Sequence, residues 1–242
     1  MKTVCIIQAR MGSTRFPNKV MREITGVPMI GLLLERVNEA KLVDQIVVAT
    51  SNLPENKSLV KYVNELGYSI YEGSEQDVLD RYYQAALLNG ADNVVRITGD
   101  CPLIDSALID EVIGRFKQAQ VEYASNISPP TYPDGLDTEV FTFKALEQAW
   151  KEAKEPQQRE HVTPFIRESG LFSQINIAGE ADLSRNRWTV DEPEDFEVIQ
   201  KVYEKFYPDH LFGWRNILNL SNDDPDVFKP NQHLIRNEGA EM

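Results

Sequence analysis

The first 22 residues hold five basic side chains, Lys2, Arg10, Arg15, Lys19 and Arg22, and no acid. The whole chain carries 38 acidic against 25 basic residues. Drawing only basic residues five times from that pool has a chance of roughly one in a hundred. Arg10, Arg15 and Lys19 follow one another along a single loop, with Gly12 and Ser13 between them. A triphosphate needs side-chain cations, backbone N–H donors and room for close approach, and this loop offers all three. A solvated basic loop is the plain alternative, and only the loop's position argues against it. Two carboxylates sit in comparable places further on. Asp100 follows the apolar run NVVRIT, and Asp191 follows RWTV. A carboxylate at the end of a buried strand costs too much to bury unpaired, so it faces a crevice. Two of them can converge on one Mg²⁺, which takes one or two carboxylates plus phosphate oxygens. Asp191-Glu192-Pro193 also reads as a helix start, a role that Glu192 or Glu194 can take over.

Other candidates each have a plain reading beside the functional one. Asp134, Asp137 and Glu139 follow a Pro-rich loop and suit sugar hydroxyls, or else form a turn and an edge strand. His161 is a substrate contact or a surface histidine. Asp77 and Arg81 lie one helical turn apart, as an i,i+4 pair or as a contact to base or ribose. Cys101, beside Asp100, has no base near it in sequence and reads as a packed small residue.

The elements that position these residues alternate. Apolar, β-branched runs at 3–8, 45–50, 69–71, 93–98 and 121–124 read as strands. Between them, helices are expected at 29–40, 59–66, 75–89 and 106–118, two of them closed by Gly67 and Gly90. This rhythm predicts an α/β fold, a Rossmann-like, mostly parallel sheet with helices on both faces. In such sheets ligands bind beyond the strands' carboxyl ends, which is where Arg10 and Asp100 fall. After Ser125 the pattern changes to a loop rich in proline and then a small α+β insertion, 126–180. There a strand at 138–141, helices at 144–153 and 159–168, and an antiparallel strand at 172–177 are expected outside the main sheet. A strand at 187–190 is expected to return to that sheet, followed by an amphipathic helix at 193–206. Residues 1–220 form one domain in this reading, and 221–242 a polar linker or wrapping arm.

A net charge of −13 excludes the broad basic surface that nucleic acid or an anionic membrane would need, but not a local pocket for a small anion. Two cysteines give neither a disulfide framework nor a zinc cluster. The short apolar start is no signal peptide and no run reaches membrane-spanning length, so the cytoplasm is the expected compartment.

Three segments carry a resemblance. Gln8-Ala9-Arg10-Met11-Gly12-Ser13-Thr14-Arg15-Phe16-Pro17-Asn18-Lys19, Thr98-Gly99-Asp100-Cys101-Pro102-Leu103-Ile104 and Thr189-Val190-Asp191-Glu192-Pro193-Glu194-Asp195-Phe196 resemble, in order and spacing, the signatures of the CMP-sugar synthetases. The segments 73–81, 133–141 and 159–163 are similar to the group involved in spore-coat polysaccharide synthesis. Gln8 stands where better-known members carry proline, and 126–165 does not match them. The resemblance implies a Mg²⁺-dependent transfer of CMP from CTP to a sugar by a homodimer. It implies that the backbone at Ala9 and Arg10 reads cytosine, and that Ser13, Arg15 and Lys19, with Gly12 and Gly99 nearby, hold phosphates. Asp77 and Arg81 join the nucleotide side. Asp100 and Asp191 bind the metal, and Asp134, Asp137, Glu139, Arg159 and His161 meet the sugar. Arg10 and Lys19 are the expected catalytic cations. Rival readings are a sugar-1-phosphate nucleotidyltransferase using another triphosphate, a nucleotide-sugar glycosyltransferase, and a non-catalytic nucleotide sensor. The glycosyltransferase reading is weakened because the only D-x-D, Asp224-Pro225-Asp226, lies in the tail.

Overall fold

The computed structural model describes residues 1–236. Nine strands are found there: β1 (Thr3–Gln8), β2 (Glu23–Ile24), β3 (Val27–Pro28), β4 (Gln45–Ser51), β5 (Ser69–Gly73), β6 (Asn93–Thr98), β7 (Tyr123–Ser125), β8 (Glu139–Thr142) and β9 (Gln174–Asn176). The helices are α1 (Met29–Asn38), α2 (Lys57–Glu65), α3 (Val78–Leu88), α4 (Ser106–Ala119), α5 (Phe143–Glu152), α6 (Pro156–His161), α7 (Pro164–Glu168), α8 (Pro193–Phe206) and α9 (Trp214–Asp223).

Seven strands form one sheet in the order β5-β4-β1-β6-β8-β7-β9, and β2 and β3 make a separate hairpin. β5, β4, β1 and β6 run parallel; β8 is antiparallel to both β6 and β7. Side chains of successive strand residues go to opposite faces. Cys5 and Ile7 of β1 join a core that includes residues of α1, α2, α4, α8 and α9. Val4 and Ile6 join the opposite core, with residues of α3, α5 and α7. The sheet is thus covered on both faces, which is why its strands read as continuous apolar runs.

Several expectations are corrected. β8 and β9 belong to the main sheet rather than lying outside it, and β9 pairs with β7 in parallel, not antiparallel. Residues 187–190 form no strand of that sheet. They cross beside the 134 loop, with an isolated bridge between Asp134 and Arg187, a bond from Trp188 N to Asp134 O of 2.7 Å, and one from Val190 N to Asp100 O of 2.8 Å. The helix expected at 159–168 is two helices, broken at Val162 (φ 69°, ψ −56°). Thr163 N donates to His161 O at 2.8 Å, closing a tight γ-turn. Pro164 has no N–H to continue α6 and starts α7 instead. The tail's first part is helical, since α9 extends to Asp223.

Candidate active site

The carboxyl ends of β1 and β6 meet beneath the 10–19 loop. Gly99 N donates to Gln8 O at 2.8 Å, and a Cβ on Gly99 would lie 2.8 Å from that same oxygen and from the Ala9 Cβ. Only glycine permits this close approach. Ala9 itself is buried and tied to β4 through Ala49 O. The loop folds on itself through Asn18 N to Met11 O, 3.1 Å, and is anchored below by Asn56 Oδ1, which accepts from Met11 N at 2.8 Å. Asn18 takes a left-handed conformation, φ 61°, which asparagine tolerates better than most residues. Lys19 follows it and turns inward.

Lys19 is the centre of the arrangement. Its Nζ donates to Asp191 Oδ1 at 2.9 Å, to Val190 O at 2.6 Å and to Asp100 Oδ2 at 3.5 Å. Burial alone would lower the ammonium pKa, but Asp100 and Asp191 outweigh it and raise the value. Burial alone would raise Asp100. The Lys19 charge and hydrogen bonds from Thr98 and Cys101 hold it below the usual carboxylate range instead. Asp191 is spared helix capping. Glu192 is the N-cap of α8, and Asp195, buried at the third helical position, accepts from the backbone N of both Asp191 and Glu192. Arg187 holds Asp195 at 2.8 Å and reaches Asp191 at 3.4 Å.

A cleft of about 840 Å³ opens over this centre. Ala9, Arg10, Ser13, Arg15, Lys19, Asp77, Arg81, Gly99, Asp100, Arg159, His161 and Asp191 all line it. Gly12 does not; it packs toward Glu55. The cations are matched by carboxylates: Arg10 pairs with Glu75, and Arg15 with Asp191 and Glu192 at 3.2 and 3.1 Å. The pairing expected between Asp77 and Arg81 is absent. Asp77 caps α3 by accepting from Asp80 N, and its carboxylate binds Arg159 at 3.1 Å. Arg81 is 3% exposed, and its Nε and Nη1 are buried with no hydrogen-bond partner. Burial lowers its pKa despite nearby Glu75. Two buried guanidinium N–H groups without acceptors are costly to keep in the free protein.

A second compartment of about 570 Å³ shares Gln8, Arg15, Thr98, Asp100, His161 and Asp191 with the first. Asp134, Asp137 and Glu139 lie here, with Arg96, Arg167, Thr163 and Arg236. Glu139 is 2% exposed and ion-paired to Arg96, and it accepts from Tyr123 Oη at 2.6 Å. Asp134 is pushed up to about 7, first by burial and then by Asp137, with Arg236 and Arg187 opposing. Gly135 holds φ 104°, and a Cβ there would lie 2.6 Å from the Trp188 carbonyl carbon, so the turn between Asp134 and Asp137 requires glycine. The sequence reading missed Arg96, Arg167 and Arg236. A lone arginine inside NVVRIT was a legible signal for Arg96, because a buried charge demands a partner; Arg236 carried none.

Asp100 and Asp191 approach one ammonium from different elements, and the donor set is hard oxygen, as a small divalent cation requires. Among the described residues no group of three or more His, Cys, Asp or Glu is placed to hold a metal by itself. A metal here would need further oxygens, and phosphates can supply them.

An α/β sheet with a cationic loop after its first strand, a carboxylate beyond the neighbouring strand β6 and a second carboxylate brought to the same lysine is the arrangement of a nucleotidyltransferase. The chain belongs to the cytidylyltransferase family, whose model matches residues 4–210. An uncharacterized protein of Methanocaldococcus jannaschii is 39% identical over 245 residues, covering 100% of this chain and 99% of that one. The spore coat polysaccharide biosynthesis protein SpsF of Bacillus subtilis is 30% identical over 92% of this chain and 95% of its own. A solved cytidylyltransferase from Leptospira borgpetersenii serovar Hardjo-bovis superposes with a TM-score of 0.89 at 31% identity, covering 94% of this chain and 97% of that one.

Proposed function

We propose that the protein transfers CMP from CTP to a hydroxyl of a sugar and releases pyrophosphate, with Mg²⁺ held by Asp100 and Asp191. The observation that carries this reading is the wall shared by the two compartments. Asp100 and Asp191 line both compartments, with Lys19 ion-paired to them from the first, so they stand where a nucleotide on one side would meet an acceptor on the other. The family description supports cytidine as the base, and the name of the Bacillus relative supports a polysaccharide precursor as the acceptor.

On the nucleotide side, Arg10, Ser13, Arg15 and Lys19 hold the triphosphate, and Arg81 with the backbone at Ala9, Arg10 and Gly99 faces the base. On the acceptor side, Asp134, Asp137, Glu139 and His161 orient hydroxyls; Arg159, expected to meet the sugar, lines the nucleotide cleft instead and holds Asp77 there. The acceptor oxygen bonds to the α-phosphorus while the bond from that phosphorus to the bridging oxygen breaks. Pyrophosphate leaves with the bonding electrons. The hydroxyl proton passes to a carboxylate, and the Asp134 value of about 7 suits that task. Mg²⁺, when bound, supplies charge neutralisation on the phosphates. Little covalent help is needed, because position and charge dominate phosphoryl-group chemistry.

The reading also includes a cytoplasmic homodimer. Both cysteines are free and buried, and no described helix is long and apolar enough to cross a membrane. Light scattering at twice the 27.6 kDa chain mass supports the dimer, and the chain mass alone removes it.

Thermal stabilisation by CTP, UTP, GTP, ATP and dTTP, with and without Mg²⁺, tests the nucleotide. A ligand at a hundred times its Kd adds about 2.7 kcal/mol. A shift confined to CTP and enlarged by Mg²⁺ is expected. An equal or larger shift with UTP or GTP would replace the reading with a sugar-1-phosphate nucleotidyltransferase.

A further inference from the structure

The family match ends at residue 210, yet the chain returns to the site after it. Beyond α9 and a short turn at Pro225–Phe228, the segment 229–236 runs back past Arg187 and Asp195 and brings Arg236 into the acceptor compartment. It is pinned at three points. Asn231, 3% exposed, donates from Nδ2 to Arg187 O at 3.0 Å and to Asp195 Oδ1 at 2.9 Å. Arg187 Nη1 donates to Ile235 O at 3.0 Å. Arg236 donates from Nη2 to both Asp137 oxygens at 2.6 Å, and from Nη1 to Tyr132 O at 3.3 Å. The first two pins fall on the residues that position Asp191, so the strap is built against the catalytic wall.

We infer that this strap completes the acceptor compartment, and that Arg236 and Asp137 form a clamp for neighbouring acceptor hydroxyls. The inference rests on the cytidylyltransfer reading above. Asp137 is 35% exposed at its side chain and Arg236 13%, and both line the cavity that contains Asp100. A carboxylate oxygen keeps acceptor capacity after one hydrogen bond, and a guanidinium carries five donors. The pair therefore presents an acceptor and a donor side by side, with no net charge, which matches vicinal hydroxyls. One half comes from the 133–137 turn and the other from a segment outside the matched domain. Acceptor choice can then vary through the strap without touching the nucleotide side.

The test uses the full chain with CTP and MgCl₂. Acceptors are free hexoses, hexuronates and 2-keto-3-deoxy sugar acids, and the best pyrophosphate releaser is kept. Arg236→Gln and Asp137→Asn should each raise the acceptor KM about tenfold, as loss of a hydrogen bond of ~1.4 kcal/mol does. Both should leave the CTP-induced melting shift unchanged, and the double variant should match the singles in acceptor KM. Hydrogen exchange over 229–236 should slow when acceptor is added. An acceptor KM within about twofold of wild type in an active, folded Arg236→Gln would overturn the clamp alone. Slowing of exchange by CTP without acceptor would overturn it too. A wild type that releases pyrophosphate with no acceptor would bring down the cytidylyltransfer reading along with it.

Discussion

Replacing Lys19 with methionine keeps the stem and removes the ammonium. That ammonium is 10% exposed at the side chain and contacts Asp100, Asp191 and the Val190 carbonyl. Two consequences separate. In the folded protein, one buried network loses its donor, at a cost of ~1–3 kcal/mol. For a domain of this size each kcal/mol is about 2–4 °C, so a melting loss of roughly 2–12 °C is expected. Asp191 keeps Arg15 and Arg187 within 3.4 Å, which is why unfolding is not expected. In the reaction, a cation aimed at developing phosphoryl charge supplies on the order of 10³-fold, or ~4 kcal/mol of barrier. Lys19→Met should therefore lose ~10³-fold in kcat while melting cooperatively. Without the ammonium, the two carboxylates should also gain affinity for Mg²⁺ added alone, seen as a larger metal-induced melting shift than in wild type. Pyrophosphate release and differential scanning fluorimetry read both. Near-normal turnover would refute the role of Lys19, and an unchanged metal response would refute the convergence of Asp100 and Asp191.

Arg81→Gln removes a buried guanidinium whose Nε and Nη1 have no hydrogen-bond partner, so the free protein should melt at the same temperature or higher, while Kd for CTP rises at least about tenfold. Calorimetric titration with CTP settles it, and unchanged affinity would take Arg81 out of the base site. Gly99→Ala places a Cβ against the Gln8 oxygen and the Ala9 Cβ at 2.8 Å, so a loss of ~1–3 kcal/mol and of CTP binding is expected in urea titrations; wild-type stability would contradict the close approach. Asp134 titrates at about 7 when folded and at an ordinary carboxylate value when unfolded. The folded state thus holds its proton more tightly, and the stability this contributes is full below ~pH 4 and is lost as pH rises through about 7. Comparison of Asp134→Asn with wild type from pH 4 to 8 should show the variant gaining relative stability by up to ~4 kcal/mol. A pH-independent difference would sink the assignment.

Local patterns that agree with their burial were legible to the residue. β6 at Asn93–Thr98 and α8 at Pro193–Phe206 fall where the apolar run and the proline-led amphipathic pattern put them. What failed depended on distant partners. Residues 187–190 alternate like a strand, yet their hydrogen bonds go to the 134 loop and to Asp100, and no local pattern reports that. Asp77 and Arg81 have ideal helix-pair spacing, but capping draws Asp77 out of the helix and toward Arg159. Lys19, Asp100 and Asp191 were marked by strand ends and charge purity. Arg236 sits in a polar tail without periodicity, and only the return of the chain shows where it lands.

The central claim is transfer of the CMP unit, and ³¹P NMR of the protein with CTP, MgCl₂ and the acceptor panel observes it directly. Cytidylyl transfer predicts a new phosphodiester resonance that grows in step with pyrophosphate, in the presence of one acceptor class and Mg²⁺. Intact CTP with every acceptor, or a signal that appears instead with a sugar 1-phosphate as a diphosphate linkage, would contradict it.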